Sequence, residues 1–166
     1  YGTPSESLCD RFARVDKQEF GDIKGITDKG YYDNSFHVSS RINMSPFEKL
    51  RLEALGHKYS AGGHISYIET DSLTKNLEAI PDILRYAKMV GIHYMGINQP
   101  VDKCHICGYK GEFTATKEGF TCPQCGNHDS NEMSVIRRVC GYLSQPNARP
   151  FNKGKQEEIM HRVKHS

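Results

Sequence analysis

The chain has 166 residues, 37% of them apolar and 25% charged, and its 22 basic and 20 acidic residues leave a net charge of +2. That is long enough for one domain with a core, but a mean hydropathy of −0.64 is polar for a domain that buries its core unaided. The near balance of charge supplies no field for nucleic acid or an anionic membrane, and no apolar run approaches the ~18–20 residues of a membrane-spanning helix.

Thr3-Pro4-Ser5-Glu6-Ser7 opens the first element. A hydroxyl N-cap, a proline in the first turn and a glutamate soon after predict a helix through LCDRFARVDKQEF, ending before Gly21, with Leu8, Phe12 and Val15 on one face. Its start offers free backbone N–H groups and hydroxyls, which suit either an anion site or an ordinary cap. Asp22 to Tyr32 reads as loop and Ser35 to Val38 as a short strand. Ser45-Pro46-Phe47-Glu48 opens a second helix, to about Tyr59, with Leu50, Leu52 and Leu55 as its apolar side. Gly62-Gly63 breaks the chain, and the alternation from His64 to Glu69 predicts a strand. Asn76 to Val90 carries Leu77, Ile80, Ile83, Leu84 and Ala87 near helical spacing, and Ile92 to Ile97 reads as another strand.

Helix and strand therefore alternate over residues 1–100, the pattern of an α/β unit with parallel pairing. Three short strands close a sheet poorly, so this stretch is expected to be part of a larger barrel or sheet. An opening at Tyr1 rather than Met fits the same expectation, a piece of a longer polypeptide.

Pro100 marks a boundary, and residues 101–130 form a second region rich in Cys, Gly and turns. Cys104-His105-Ile106-Cys107-Gly108 and Cys122-Pro123-Gln124-Cys125-Gly126 stand 14 residues apart. Two such turns present four thiolates, a tetrahedral Zn²⁺ site with no position open for catalysis; iron is the rival ion. Each following glycine allows the left-handed turn that aims backbone amides at sulfur. A β-hairpin is expected between the pairs, from the EFTAT run through Lys117-Glu118-Gly119, which makes the region a zinc ribbon. Lys103, Lys110 and Lys117 are offset by Asp102, Glu112, Glu118 and Asp129, so no basic stripe for nucleic acid emerges. Paired CxxC spacing without a secretion-signal pattern favours metal over disulfides, and with it the reducing cytoplasm. His105 reads as a bystander. His37, His57, His64 and His93 have no ligand spacing and read as core or surface histidines. Cys9 and Cys140 are single and read as packing residues.

Residues 131–166 form the last region: a β-branched run, a Pro/Asn loop and a short amphipathic helix from about Lys155. Within it, Gly141 lies between Cys140 and Tyr142 with no other turn residue before Ser144. Glycine weakens helix and strand alike, so it serves either a turn or a chemistry that only glycine performs. Arg138-Val139-Cys140-Gly141-Tyr142 resembles the glycyl-radical signature. Asn147-Ala148-Arg149-Pro150-Phe151-Asn152, the tail to His165, YGTPSESLCDRF and GGHISYIE resemble segments of the anaerobic (class III) ribonucleoside-triphosphate reductases. The ribbon just upstream separates that family from other glycyl-radical enzymes.

The resemblance implies an α/β fold: part of a glycyl-radical-enzyme barrel over residues 1–100, then the zinc ribbon, then the radical loop and tail. It implies reduction of ribonucleoside triphosphates without oxygen. A radical-SAM iron–sulfur activase would remove hydrogen from Gly141, and the glycyl radical would then take hydrogen from a cysteine thiol outside this stretch. The thiyl radical would abstract the 3′ hydrogen of the substrate ribose. Glycine suits this because delocalisation across both flanking peptides needs a planar Cα, which a Cβ would crowd. Val135, Ile136, Val139 and Leu143 suit a loop inserted into a core, and Tyr142 reads equally as shield or packing aromatic. By the same resemblance, Thr3, Ser5, Glu6 and Ser7 would receive the substrate phosphates, with Glu6 open to a ribose contact or a capping role. A homodimer in the cytoplasm is implied for the intact enzyme. The reductant, formate or a dithiol protein, stays open. The alternatives are another glycyl-radical enzyme, a separate radical-bearing subunit, or a zinc-ribbon binding module.

Overall fold

The computed structural model describes residues 8–33, 37–60, 64–138, 143–144 and 152–165. Two compact units emerge, Tyr1–Asn34 with Pro100–Arg162, and Ser35–Gln99 with Val163–Ser166.

In the first unit, α1 spans Cys9–Phe20 and stops at Gly21, whose φ of 76° only glycine adopts without strain. The following loop is closed by Thr27, whose hydroxyl donates to the Gly21 carbonyl at 2.6 Å and accepts from the Ile23 amide at 2.7 Å. The apolar face expected from Leu8, Phe12 and Val15 is not the buried one. Cys9 and Ala13 are buried, whereas Phe12 and Val15 stay 43% and 42% exposed. The cause is close helix packing. A C-terminal helix, labelled α4 in chain order (Lys153–His161), lies against α1 and needs small residues at the contact. A Cβ on Gly154 would stand 2.8 Å from Cys9 Sγ and 2.9 Å from Tyr31 Cβ. Gly154→Ala is therefore expected to destabilise this unit by about 1–3 kcal/mol through overpacking, read as a lower urea midpoint at unchanged m-value. Asn152 caps α4, accepting from the Lys155 amide at 2.9 Å. The Cys9 thiol donates to the same Asn152 Oδ1 at 3.7 Å. Burial raises the Cys9 pKa above the ordinary thiol value, in keeping with a packing role.

The rest of this unit is built from very short strands. Asp102–Cys104, Lys110–Gly111 and Met133–Ser134 (β3, β4 and β7) make an antiparallel sheet in the order β4-β3-β7. Thr114–Thr116 and Gly119–Thr121 (β5 and β6) form the expected hairpin. Asp102 is 1% exposed and holds the region together, accepting from the Phe113 amide at 2.8 Å and the Ile136 amide at 3.3 Å. Cys104, Phe113, Cys122, Met133 and Val135 form the core. Arg137–Arg138 (β8) pairs antiparallel with Leu143–Ser144 (β9), Arg138 opposite Leu143.

The second unit is a β-α-β element. Ser66–Glu69 (β1) runs parallel to Met95–Asn98 (β2), in register from Ser66 opposite Met95 to Glu69 opposite Asn98. Between them lie a 3-10 turn, Leu73–Lys75, and helix α3, Ala79–Val90. The helix begins at Ala79 rather than Asn76 because the Asn76 amide closes the 3-10 turn on Leu73. Helix α2, Pro46–His57, has the expected start: Ser45 and Glu48 form a reciprocal capping box around Pro46. Leu50, Ile68, Ile83 and Ala87 make the core.

Two expectations fail in this unit. His37 and Val38 are not in a strand, and residues 34–36 lie outside the described residues. The Val38 amide is committed to the Glu53 carboxylate at 2.9 Å, so it is unavailable to a sheet. Nor are Leu52 and Leu55 buried, at 42% and 69% exposure. Besides Leu50, the face that α2 buries is polar: Lys49, Glu53 and His57, at i, i+4 and i+8. The chain's last residues rejoin this unit, the His165 amide donating to the Glu69 carbonyl at 2.8 Å.

Candidate functional site

The four cysteines expected to bind metal come together. Each pair sits on a knuckle closed by its glycine: the Gly108 amide donates to the Cys104 carbonyl at 3.1 Å, and that of Gly126 to the Cys122 carbonyl at 2.9 Å. Both glycines have φ near +75°, at 75° and 72°, as the left-handed turn requires. β3 delivers Cys104 and the end of β6 delivers Cys122. Cys104 and Cys125 sulfurs lie 3.7 Å apart, those of Cys107 and Cys122 3.6 Å apart, and all four ligand atoms fall within 4.8 Å of one another. A tetrahedral ZnS₄ site with bonds of ~2.3 Å has sulfur–sulfur edges of about 3.8 Å. Two of the edges match that figure and the others lie within 4.8 Å, so the residues present suit a four-thiolate ion. The Cys107 amide aimed at the Cys104 sulfur holds that thiol down at about 6, against its burial and with help from the Ile106 amide. Asn127 Nδ2 approaches the same sulfur at 3.7 Å. Such donors stabilise thiolate, the form that binds metal. Cys104 and Cys122 are buried and Cys125 is exposed, so the site opens to solvent on one side. His105 is exposed and directs its amide to the Glu132 carbonyl, outside the ligand set.

The remaining candidates fall elsewhere. Thr3, Ser5, Glu6 and Ser7 lie outside the described residues, as do Cys140, Gly141 and Tyr142. What is described around Gly141 is the β8–β9 pair on either side of it in the sequence, and Val135 upstream, 3% exposed.

A second cluster was not legible in the sequence. The four histidines read as scattered are neighbours in the second unit. The His57 and His64 rings lie 4.2 Å apart edge to face, His57 and His93 5.9 Å, His37 and His64 5.5 Å. His57 accepts from the His93 amide at Nδ1, which leaves Nε2–H to donate to Ser66 Oγ at 3.0 Å. Its neutral tautomer is thereby specified. Desolvation, then the other histidines, lower the pKa of His57 and bring that of His64 to about 4. A histidine with a depressed folded pKa stabilises the fold above its unfolded value of ~6.5, and that stability is lost as pH falls through the folded value. Amide exchange within α2 and β1 is therefore expected to quicken as pH drops from about 6.5 to 4, after correction for intrinsic rates. His64→Gln should flatten that dependence. The only advance signal was polar residues at helical spacing, Lys49, Glu53 and His57, where an apolar stripe was expected.

The sequence matches the family described as anaerobic ribonucleoside-triphosphate reductase over residues 1–165. It is 52% identical over 165 residues to the anaerobic ribonucleoside-triphosphate reductase of Escherichia coli, covering 99% of this chain and 23% of that protein. It is 50% identical to the enzyme of the same name from Enterobacteria phage T4, covering 99% and 27%. The chain thus spans about a quarter of the length of these relatives. Among solved structures, an anaerobic ribonucleotide reductase superposes with a TM-score of 0.69 at 23% identity, over 98% of this chain and 24% of that one. The reductase from Thermotoga maritima in complex with dATP and CTP gives 0.61 at 23% identity, over 94% and 23%. The structural likeness establishes a shared mixed helix-and-sheet fold. The family match, running through both cysteine knuckles and the Gly141 segment, establishes descent: the chain belongs to the anaerobic ribonucleoside-triphosphate reductase family.

Proposed function

We propose that this chain is the C-terminal part of a reductase that converts ribonucleoside triphosphates to deoxyribonucleoside triphosphates by radical chemistry, with Gly141 as its stored radical. The observation that carries the reading is identity of 52% over 165 residues, the Gly141 segment included. Residues 1–100 then belong to the catalytic α/β barrel, residues 101–130 are a zinc ribbon, and residues 131–166 hold the radical loop and tail. The parallel β1–β2 pair and its crossover helix are what a barrel segment contributes. Exposed Phe12, Val15, Leu52 and Leu55 fit burial against the rest of a reductase chain.

In this reading Cys104, Cys107, Cys122 and Cys125 hold a structural Zn²⁺, which supplies cross-linking rather than a reactive position. Gly141 gives a hydrogen atom to an activase of the radical-SAM iron–sulfur class, then regains one from a cysteine thiol elsewhere in the enzyme. That thiyl takes the 3′ hydrogen of the ribose, and the 2′ hydroxyl departs as water. Two electrons come from an external reductant (formate or a dithiol protein), and the 3′ hydrogen is returned by the thiol, which regenerates the thiyl radical. Thr3, Ser5, Glu6 and Ser7 receive the substrate phosphates at the head of α1. The intact enzyme acts as a cytoplasmic homodimer.

The test is anaerobic EPR of the full-length protein after treatment with activase and S-adenosylmethionine. A doublet that is absent from Gly141→Ala, with air cleaving the wild-type chain at residue 141, is the expected result. A folded, metal-loaded protein that yields no radical with a competent activase would sink the assignment.

A further inference from the structure

A buried charge network on α4 has no part in the chemistry just described. Lys155, Glu158 and Arg162 share one face of the helix end, at i, i+3 and i+7. Lys155 is 1% exposed and Glu158 5%. Lys155 Nζ donates to Glu158 Oε2 at 2.7 Å, and Arg162 Nη2 donates to Glu158 Oε1 at 2.8 Å. Both carboxylate oxygens are thus engaged, one by each cation. Burying two charges and partly burying a third costs desolvation that their attraction scarcely repays, so such a network is a poor source of stability and a good source of fixed geometry.

What it fixes is the remaining arm of the guanidinium. Arg162 Nη1 donates to the backbone carbonyl of Arg138 at 3.1 Å. Arg138 is the last residue of β8, opposite Leu143, and Gly141 lies between those two in the sequence. The planar fork of arginine lets one side chain hold a carboxylate and a carbonyl at a set angle, which lysine cannot do. The other end of the same segment is also tied: Asn152 caps α4 and accepts the Cys9 thiol. Arg138 and Asn152, which bracket Gly141 in the sequence, are therefore each held by a side-chain contact, and Arg162 holds the one nearer Gly141.

We propose that Arg162, oriented by Glu158 and Lys155, is a positioning residue that clamps the root of the Gly141 segment. The inference rests on the reading of Gly141 as the radical site for its purpose, but the clamp can be tested without any radical. In the full-length reductase, Arg162→Ala is expected to speed amide exchange over residues 137–144 about ten-fold. Zinc content and exchange over residues 114–121 should stay at wild-type levels. After activation, the EPR doublet of Arg162→Ala should decay several-fold faster, and Arg162→Lys should recover only part of either effect. Unchanged exchange over residues 137–144, or an equal rise throughout the cysteine region, overturns the clamp. Should Arg162→Ala fail to fold, Glu158→Gln decides, with a few-fold rise expected and no rise overturning it. A wild-type protein that shows no doublet, while Arg162→Ala shows the exchange effect, would reject the radical reading and keep the clamp. A wild-type doublet with identical exchange and decay in Arg162→Ala would do the reverse.

Discussion

Stripping the metal from the full-length protein with a chelator, or replacing Cys122 by serine, is expected to unfold residues 101–130 and leave the Ser35–Gln99 unit folded. The reason lies in how little else holds that region. Its strands are two or three residues long. Of the five buried residues in its core, Cys104 and Cys122 are themselves proposed ligands. Below ~40 residues a chain rarely buries enough apolar surface to fold without a staple, and a structural zinc supplies an apparent ~10–16 kcal/mol at neutral pH. Without the ion, four sulfurs within 4.8 Å of one another face mutual repulsion wherever they ionise. The measurement is amide exchange on the metal-loaded and stripped forms. Protection over Asp102–Ser134 should collapse toward unfolded rates, while α2, β1 and α3 stay protected. Protection unchanged after verified metal loss would show that Phe113, Met133 and Val135 suffice. Metal analysis of the purified protein separates zinc from iron in the same step.

What could be read in advance follows from how local each cause is. The cysteine knuckles were legible because tetrahedral geometry dictates the CxxC spacing and the glycine after it, within five residues. The start of α2 was legible for the same reason, since Ser45, Pro46 and Glu48 satisfy one another. At the described residues His37 and Val38 the expected strand is absent, and it fails together with the apolar face expected on α2, through one distant contact. Glu53 takes the Val38 amide 15 residues upstream, and burying that carboxylate turns α2 so that Leu52 and Leu55 face outward. No periodicity in either segment announces such a pairing. The Leu8–Phe12–Val15 face of α1 was misplaced because Gly154, 145 positions beyond Cys9, decides which side of the helix is approached. The histidines at 37, 57, 64 and 93 are far apart in sequence and adjacent in space, so spacing carried no information about them. Gly141 and Thr3 to Ser7 took their roles from resemblance to a family and lie outside the described residues, so their roles are proposals.

Glu53→Ala is expected to be the most damaging single substitution in the second unit, costing about 3–5 kcal/mol. The Glu53 side chain is fully buried, and Lys49, whose side chain is 6% exposed, places Nζ 2.8 Å from its Oε1. The same oxygen takes the Val38 amide and lies 3.6 Å from His37 Nδ1. Burial alone would raise the carboxyl pKa; the His37 hydrogen bond and the Lys49 charge outweigh it and hold the group at about 2. Removing it strands a buried ammonium and a buried amide at once. Because the folded pKa lies below the unfolded value of ~4.3, this contribution is complete above that value and disappears as pH falls from there toward 2. It therefore lies below the histidine window and is separable from it. Three variants apportion the effect. Glu53→Gln keeps an acceptor for Val38 and loses the charge, so its cost should be roughly half that of alanine and its acid dependence below pH 4.5 should vanish. Lys49→Met alone should cost less than Glu53→Ala, since a stranded carboxylate has fewer pH units to climb from ~4.3 to neutrality than a stranded ammonium has to fall from ~10.4. Lys49→Met with Glu53→Gln should recover part of the Glu53→Ala loss, because an uncharged pair needs no compensation. Urea unfolding followed through exchange in α2 and β1 measures all of these. Equal stability of Glu53→Ala and wild type would mean that the ion pair is no better than solvent, and that α2 is held by Leu50 and its neighbours alone.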